Sequence, residues 1–371
     1  MRDSRAFGAN RGGKGASLPT LAAVGGFLAI FAAGCGSSNS SGTVETPGSG
    51  AAVTLNGAGS TFVYPAMSKW AYAYGDANKG VTINYQSVGS GAGISQYQAG
   101  TVDFAASDKP LSDEELKEMP GPTVQFPVTA GCEVLAYNLP GVENGLKLSE
   151  DVVADIFLGK IKTWNDPRIV SQNAGLNIPA TPITVAHRSD GSGTTYVFTD
   201  YLSSVSPAWK AGPGKGKTVN WPVGVGAKGN EGVAGLVKQT PGGIGYVELA
   251  YAVQTKLNYG PLRNKSGNYV MPSLESTTAA ANAAADALKA DVRSSIVNGA
   301  GKDTYPIAAF VYMIVAKEPK DAAKGKALND FVKWVLDEGQ SMAAELQYAP
   351  LPEAVVAMNT ATLGGEATTT K

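Results

Sequence analysis

The chain has 371 residues and is close to electrical neutrality, with Lys+Arg 30 against Asp+Glu 31. Hydrophobic residues make up 43% and charged residues 16%, which supports roughly two domains with a sizeable core and excludes a disordered chain. A net charge of −1 carries no nucleic-acid or polybasic-membrane signature, and one His with two Cys leaves too few ligands for most zinc sites or for a multi-disulfide scaffold.

Residues 1–16 carry Arg2, Arg5, Arg11 and Lys14 against the acid Asp3, and residues 17–33 are apolar or small. A basic region, a short apolar run ending in Phe31-Ala32-Ala33 and a small-residue site describe an export signal over 1–34, too short for a spanning helix. Ala32-Ala33-Gly34-Cys35 resembles a bacterial lipobox, with Ala32 where Leu is usual. That resemblance implies that Cys35 is acylated and begins the mature chain; an ordinary signal with a chance Cys is the alternative. The stretch 35–52, rich in Ser, Gly, Thr and Pro, reads as a flexible tether. With Cys35 used in this way, Cys132 has no partner within the chain and reads as a small buried apolar residue in a strand.

Beyond the tether, strands and helices alternate. In chain order the patterns predict a helix over 62–74, a strand over 81–85, a helix over 113–119, a strand over 134–137, a helix over 152–158 and a strand over 183–185. Helices follow over 194–202, 232–239 and 277–297, then a strand over 307–315 and a helix over 327–346. In the last helix Leu328, Phe331, Val332, Val335, Met342 and Leu346 form an apolar stripe that reads as core packing. The Ala-rich stretch 278–287 reads as a surface helix, because Ala is the best helix former. The alternation argues an α/β architecture with mostly buried sheets. No single Pro/Gly linker divides the mature chain, the pattern of two lobes joined by more than one crossing, and a cleft between lobes is a common ligand position.

Several motifs invite chemistry. Gly224-Val225-Gly226-Ala227-Lys228-Gly229 fits G-x-G-x-x-G, with a helix after it and the acid Glu248 beyond, but Trp221-Pro222 interrupts the strand that a dinucleotide site requires. Residues 211–218 approximate a P-loop, yet Ala211 replaces its first Gly and Val219-Asn220-Trp221-Pro222 opens a helix poorly, so a basic surface loop is expected. The only His, His187, is too near Asp190 in sequence for a hydrolase triad, and no G-x-S-x-G elbow exists.

Three hydroxyl-rich segments are stronger signals: Gly57-Ala58-Gly59-Ser60-Thr61-Phe62, Val88-Gly89-Ser90-Gly91-Ala92-Gly93, and Arg188-Ser189-Asp190-Gly191-Ser192-Gly193-Thr194. Each precedes a helix and places free backbone N–H groups with a Ser or Thr hydroxyl at the positive end of the helix dipole. Any one is an ordinary N-cap. Together, with Arg188 in one of them, they favour a shared anion.

These three segments, with Val102-Asp103-Phe104-Ala105-Ala106-Ser107-Asp108, resemble the phosphate-binding proteins of bacterial phosphate ABC transporters. The stretches 158–164, 243–248 and 348–352 are similar to that family as well, and the likeness runs from about residue 53 to 358. The resemblance implies an α/β, two-lobed type II periplasmic-binding-protein fold that closes on the anion, with lobe 1 over 53–133 plus 306–371 and lobe 2 over 134–305. It implies phosphate contacts from Ser60, Thr61, Phe62, Ser90 and Asp108 on one side and from Arg188, Ser192, Gly193 and Thr194 on the other, with Asp190 holding Arg188. The segment 224–229 is then a loop rather than a cofactor site. The implied partners are inorganic phosphate, the permease subunits of an ABC transporter and, through the lipid anchor alone, the extracytoplasmic face of the cell membrane; no cofactor, metal, catalytic residue or nucleic acid is implied.

Asp108 fits an anion site only if the ligand brings a proton, because a carboxylate only accepts hydrogen bonds. Phosphate carries such a proton at neutral pH and sulfate does not, so phosphate is expected over sulfate. Arsenate, with the same protons and shape, is not separated by this reasoning. An exported phosphate-ester hydrolase sharing the anion contacts is the rival from another class, and the scarcity of His and of clustered carboxylates near these motifs counts against it.

Overall fold

The structure is a computed structural model and describes residues 52–364. The expected signal peptide 1–34, the lipidation residue Cys35, all but the last residue of the tether, and residues 365–371 lie outside the described residues.

Strand β1 (Val53–Gly59) leads to helix α1 (Tyr64–Ala77), β2 (Val81–Ser87) to α2 (Ser90–Gln98), and β3 (Phe104–Ser107) to α3 (Asp113–Lys117). The long β4 (Thr123–Asn138) is followed by α4 (Glu150–Phe157) and α5 (Pro167–Val170). Next come β5 (Thr184–Arg188), α6 (Gly193–Val205), α7 (Pro207–Ala211), β6 (Val225–Ala227), α8 (Gly229–Gln239), β7 (Gly243–Glu248) and α9 (Leu249–Thr255). A hairpin of β8 (Leu262–Arg263) and β9 (Tyr269–Val270) precedes α10 (Leu274–Ala283) and α11 (Ala285–Ala290). The described chain closes with β10 (Ala308–Ala316), α12 (Ala322–Leu336), α13 (Glu338–Ala344) and α14 (Glu353–Thr362).

The strands form an eight-stranded sheet in the order β2-β1-β3-β10-β4-β7-β5-β6. β1, β2 and β3 pair in parallel, as do β5, β6 and β7, so each set needs crossover helices. β4 joins the two sets. Its first part pairs antiparallel with β10 up to Cys132, opposite Ala308, and its second part pairs with β7 from Glu133, opposite Glu248. The core divides at the same place. Phe126, Val128 and Ala130 pack in a cluster with Phe62, Trp70, Phe104, Phe310 and Phe331, whereas Cys132, Val134 and Ala136 pack with Phe157, Trp164, Phe198, Trp209 and Tyr246. The fold is thus α/β and two-lobed. Cys132 is a free, fully buried cysteine within β4, as expected from its neighbours.

Most predicted elements are present, with three corrections. The expected helix 277–297 is two helices that start earlier, at a capping box between Ser273 and Ser276, and end at Ala290. Ala280 and Ala281 in it are buried, so this Ala-rich helix is not merely a surface one: its small side chains let it sit close on the first core. The expected helix 327–346 breaks at Asp337, whose backbone is not helical. The break lets Gly339 accept a 2.7 Å hydrogen bond from Trp70 Nε1 of α1. The segment 224–229 is not a plain loop: it contains β6 and opens α8. The stripe on α12 packs as expected, with Leu328, Phe331, Val332 and Val335 buried.

Close packing over β4 fixes the approach to α1. Gly131 lies under the Phe62 ring: a Cβ added there would stand 2.5 Å from Phe62 Cε1 and 3.3 Å from Tyr348 Cδ1. Gly131→Ala is therefore expected to cost about 1–3 kcal/mol through overpacking, read as a lower urea midpoint with an unchanged m value. An unchanged midpoint would show that Phe62 is not held against β4.

Candidate functional site

The site residues cluster at the carboxyl ends of the parallel strands, where open α/β sheets place ligands. Ser60, Thr61 and Phe62 follow β1, Ser90 is the first residue of α2 after β2, and Asp108 follows β3. Arg188 ends β5, Ser192 caps α6 by accepting from Thr195 N at 3.0 Å, and Gly193 and Thr194 form the first turn of α6. All the residues expected to touch the anion come together and are buried, and Asp190 is half-buried beside them. Cys35 lies outside the described residues.

The two halves meet directly. Gly91 N donates to Gly191 O at 2.9 Å, and Tyr251 OH donates to Thr61 O at 2.6 Å. Gly193 stands so close to the opposite lobe that a Cβ there would lie 2.5 Å from both Asp108 Oδ2 and Ser90 Oγ. Only a residue without a side chain leaves space at this point.

Arg188 is 3% exposed, so its charge needs a partner. Asp190 supplies a bidentate one, accepting from Nε at 2.7 Å and Nη2 at 2.5 Å, and Nη1 donates to Thr194 Oγ1 at 3.1 Å. Burial alone would disfavour the guanidinium charge, but the Asp190 carboxylate outweighs it and holds Arg188 protonated. Arg188 in turn keeps Asp190 below the usual carboxylate range despite its burial. Gly229 N also donates to Asp190 Oδ1, at 3.2 Å.

Asp108 is the opposite case. Burial pushes its pKa up to about 7, although hydrogen bonds from Ser60 and Thr194 and the charge of Arg188 all favour the carboxylate. Ser60 Oγ donates to Asp108 Oδ1, and Thr194 Oγ1 donates to Oδ2 at 3.4 Å. Ser90 Oγ is buried at the same place with no hydrogen-bond partner among the described residues. The site therefore combines one acceptor of near-neutral pKa with a fixed cation, several hydroxyls and the N-termini of α2 and α6. Such a set suits a small oxyanion that carries a proton.

Sequence reasoning missed the polar frame behind these residues. Tyr246 OH bonds Thr195 Oγ1 at 2.7 Å and accepts from Arg188 N at 3.1 Å. Tyr348 OH lies 2.6 Å from Phe62 O and 2.9 Å from Glu248 Oε2. One phenol proton cannot serve both acceptors, so the second contact needs a proton on Glu248, whose pKa burial pushes up to about 8. Asn230, fully buried, reaches both Thr61 and Thr194. Tyr246, Glu248 and Tyr348 stand within the segments that resemble the family, which was the available signal; nothing in the sequence marked Asn230.

His187 stacks on Trp221 with ring centroids 4.8 Å apart, and its Nδ1 meets Arg188 O at 3.0 Å, an arrangement without a nucleophile. The P-loop-like stretch 211–218 braces α6: Lys217 O accepts from Ser192 N at 2.9 Å, and its Nζ pairs with Glu115 at 3.0 Å. Among the described residues no cluster of His, Cys, Asp and Glu could hold a metal ion, and no helix is long and apolar enough to cross a membrane.

A family model described as a PBP superfamily domain matches residues 43–338. The phosphate-binding protein PstS of Xylella fastidiosa is 50% identical over 82% of this chain and 83% of its own length. PstS of Pasteurella multocida is 46% identical over 82% and 88%. Among solved structures, a high affinity periplasmic phosphate-binding protein with phosphate bound superposes with a TM-score of 0.67 at 21% identity, covering 83% of this chain and 93% of that one. A phosphate binding protein from Stenotrophomonas maltophilia gives 0.64 at 21% identity, over 84% and 94%. Fold and sequence thus agree, and the chain belongs to the PBP superfamily and, within it, to the family of PstS phosphate-binding proteins.

Proposed function

We propose that this protein is an extracytoplasmic receptor that binds inorganic phosphate between its lobes and delivers it to the permease of an ABC transporter for import. The observation that carries the reading is the juxtaposition of Gly193, Ser90 and Asp108: a close approach where a Cβ would collide, an unpartnered buried hydroxyl, and a carboxyl of near-neutral pKa. Around that point, Ser60, Thr61, Phe62 and Ser90 face Arg188, Ser192, Gly193 and Thr194, with Asp190 orienting Arg188. The names of the relatives support the ligand and the transport role.

The handover of β4 between partners at Cys132 and Glu133 supports lobes of 53–133 plus 306–371 and 134–305, with α10 and α11 leaning across onto the first core. The basic, apolar and small-residue order of residues 1–34 supports export, and Cys35 is the proposed site of lipid attachment to the cell membrane. The protein acts by binding and closure, not by catalysis.

Phosphate oxygens accept from Arg188, the hydroxyls and the N–H groups at the starts of α2 and α6, while the ligand's own O–H donates to Asp108. Calorimetry of the chain beginning after Cys35, stripped of bound phosphate, is expected to show one-to-one phosphate binding and no sulfate heat at neutral pH. Sulfate binding of equal strength would overturn the selectivity argument. Asp108→Asn is expected to weaken phosphate by about 10–100-fold, the worth of a hydrogen bond to a charged group, and to admit sulfate, since Asn can donate where Asp only accepts. Unchanged sulfate rejection in this variant would remove Asp108 from the selectivity mechanism.

The raised value of Asp108 has a stability consequence with a defined sign. An unfolded Asp titrates near 4, whereas in the closed fold Asp108 titrates at about 7. The protonated form therefore stabilises the phosphate-free fold below about pH 4, and that contribution is lost as pH rises to about 7. Urea midpoints of the phosphate-free chain are expected to fall across this window, and Asp108→Asn to flatten the slope by about 1.4 kcal/mol per pH unit. Identical slopes in the two proteins would show that Asp108 is not buried as a neutral acid.

A further inference from the structure

We infer that Asn230 is a positioning residue that fixes the direction of hydrogen bonding at Thr61 and Thr194, turning both hydroxyls into donors toward the bound anion. The inference rests on the phosphate reading of this site and goes further, to what makes the site accept anions.

The orientation of the Asn230 amide is determined by Glu248, whose backbone N–H can only donate and lies 2.9 Å from Asn230 Oδ1. The oxygen is thereby committed to Glu248, and the NH2 group faces the site. Its Nδ2 stands 2.8 Å from Thr61 Oγ1 and 3.1 Å from Thr194 Oγ1, one proton for each. The backbone N–H of Asn230 also donates to Thr61 Oγ1, at 3.2 Å. Both acceptor positions of the Thr61 hydroxyl are then filled from one residue. Those of Thr194 are filled by Asn230 and by Arg188 Nη1 at 3.1 Å. A hydroxyl has two acceptor positions and one proton, so each threonine keeps only its O–H to offer. For Thr194 that O–H faces Asp108 Oδ2 across 3.4 Å, a long contact that leaves it available to an oxyanion at the same place.

The arrangement also joins the lobes. Thr61 follows β1, while Asn230 lies in the first turn of α8 and Thr194 in that of α6. Asn230 is fully buried, so its two donors form without competition from water. The turn that places it is the end of the 224–229 segment: Gly229, with φ of +74°, gives its N–H to Asp190. Consecutive residues thus orient the charged donor through Asp190 and the neutral donors through Asn230.

The test is phosphate calorimetry on Asn230→Ala in three backgrounds: the unaltered chain, Thr61→Ser and Thr61→Val. Thermal unfolding of each variant establishes that it is folded. Asn230→Ala is expected to weaken phosphate by about 10-fold or more where residue 61 carries a hydroxyl, in the unaltered chain and in Thr61→Ser alike. In Thr61→Val the loss should shrink to about threefold, the part acting through Thr194. A role in packing alone would cost the same in all three backgrounds, and equal losses would overturn the inference. If the unaltered chain binds no phosphate, the receptor reading falls and this inference with it. If it binds and the losses multiply, only the role of Asn230 falls.

Discussion

A guanidinium that is 3% exposed has to bring its counter-charge into the interior, and the pairing of Arg188 with Asp190 sets the terms for the rest of the site. The pair is net neutral. An anion held beside it in the proposed site is therefore not neutralised by formal charge, and its oxygens would be met by dipoles: the N-terminal N–H groups of α2 and α6 and the hydroxyls of Ser60, Thr61, Ser90, Ser192 and Thr194. Asp108, buried among these donors, would repel an anion if it were charged and alone. On the proposed reading its carboxylate form, opposite Gly193, is the partner for the one feature that distinguishes phosphate from sulfate, an O–H. On that reading, selectivity arises from the count of protons rather than from the count of charges.

The buried acids behind the site obey the same rule. Glu133 and Glu248 face each other where β4 passes from β10 to β7, and burial pushes both above the usual carboxylate range. Two charged carboxylates could not share that interior. As neutral acids they can, and the proton on Glu248 is the one that the Tyr348 hydroxyl requires in order to reach Phe62 O. Tyr251 treats Thr61 O in the same way. With their carbonyls held from behind by Tyr251 of α9 and by Tyr348, which follows α13, Thr61 and Phe62 are fixed in the turn that opens α1.

Much of this was legible in the sequence because it depends on local pattern. Gly-Ser-Thr segments at helix starts gave Ser60, Ser90 and Ser192, and the apolar stripe from Leu328 to Val335 marked α12. What escaped depends on contacts distant in sequence. β1, β3 and β7 are rich in Gly and Ala, poor strand formers, and are strands because they are buried among neighbours. The break at Asp337 is joined to a contact with Trp70, far away in sequence. Asn230 has nothing unusual beside it; its role exists only once Thr61, 169 positions earlier, lies against it. Polar residues whose partners are remote leave no periodic trace, whereas caps and glycine turns do.

A transport receptor must also let its ligand go, and the distribution of donors accounts for this. The direct bonds between the lobes include Gly91 to Gly191, Asn230 and Tyr251 to Thr61, Thr194 to Asp108, Tyr348 to Glu248 and the Lys217–Glu115 ion pair, and each contributes about 1 kcal/mol or less. They define one closed arrangement, in which Ser90 Oγ has no partner among the described residues and Asp108 is kept from water. A ligand that satisfies both groups shifts the balance toward closure by its differential contacts with the two states. Neither lobe alone holds the full set: Ser60, Ser90 and Asp108 stand on one side, Arg188 and the start of α6 on the other. Once the lobes part, each half offers an incomplete and hydrated shell, and release needs no change in the chemistry of any residue.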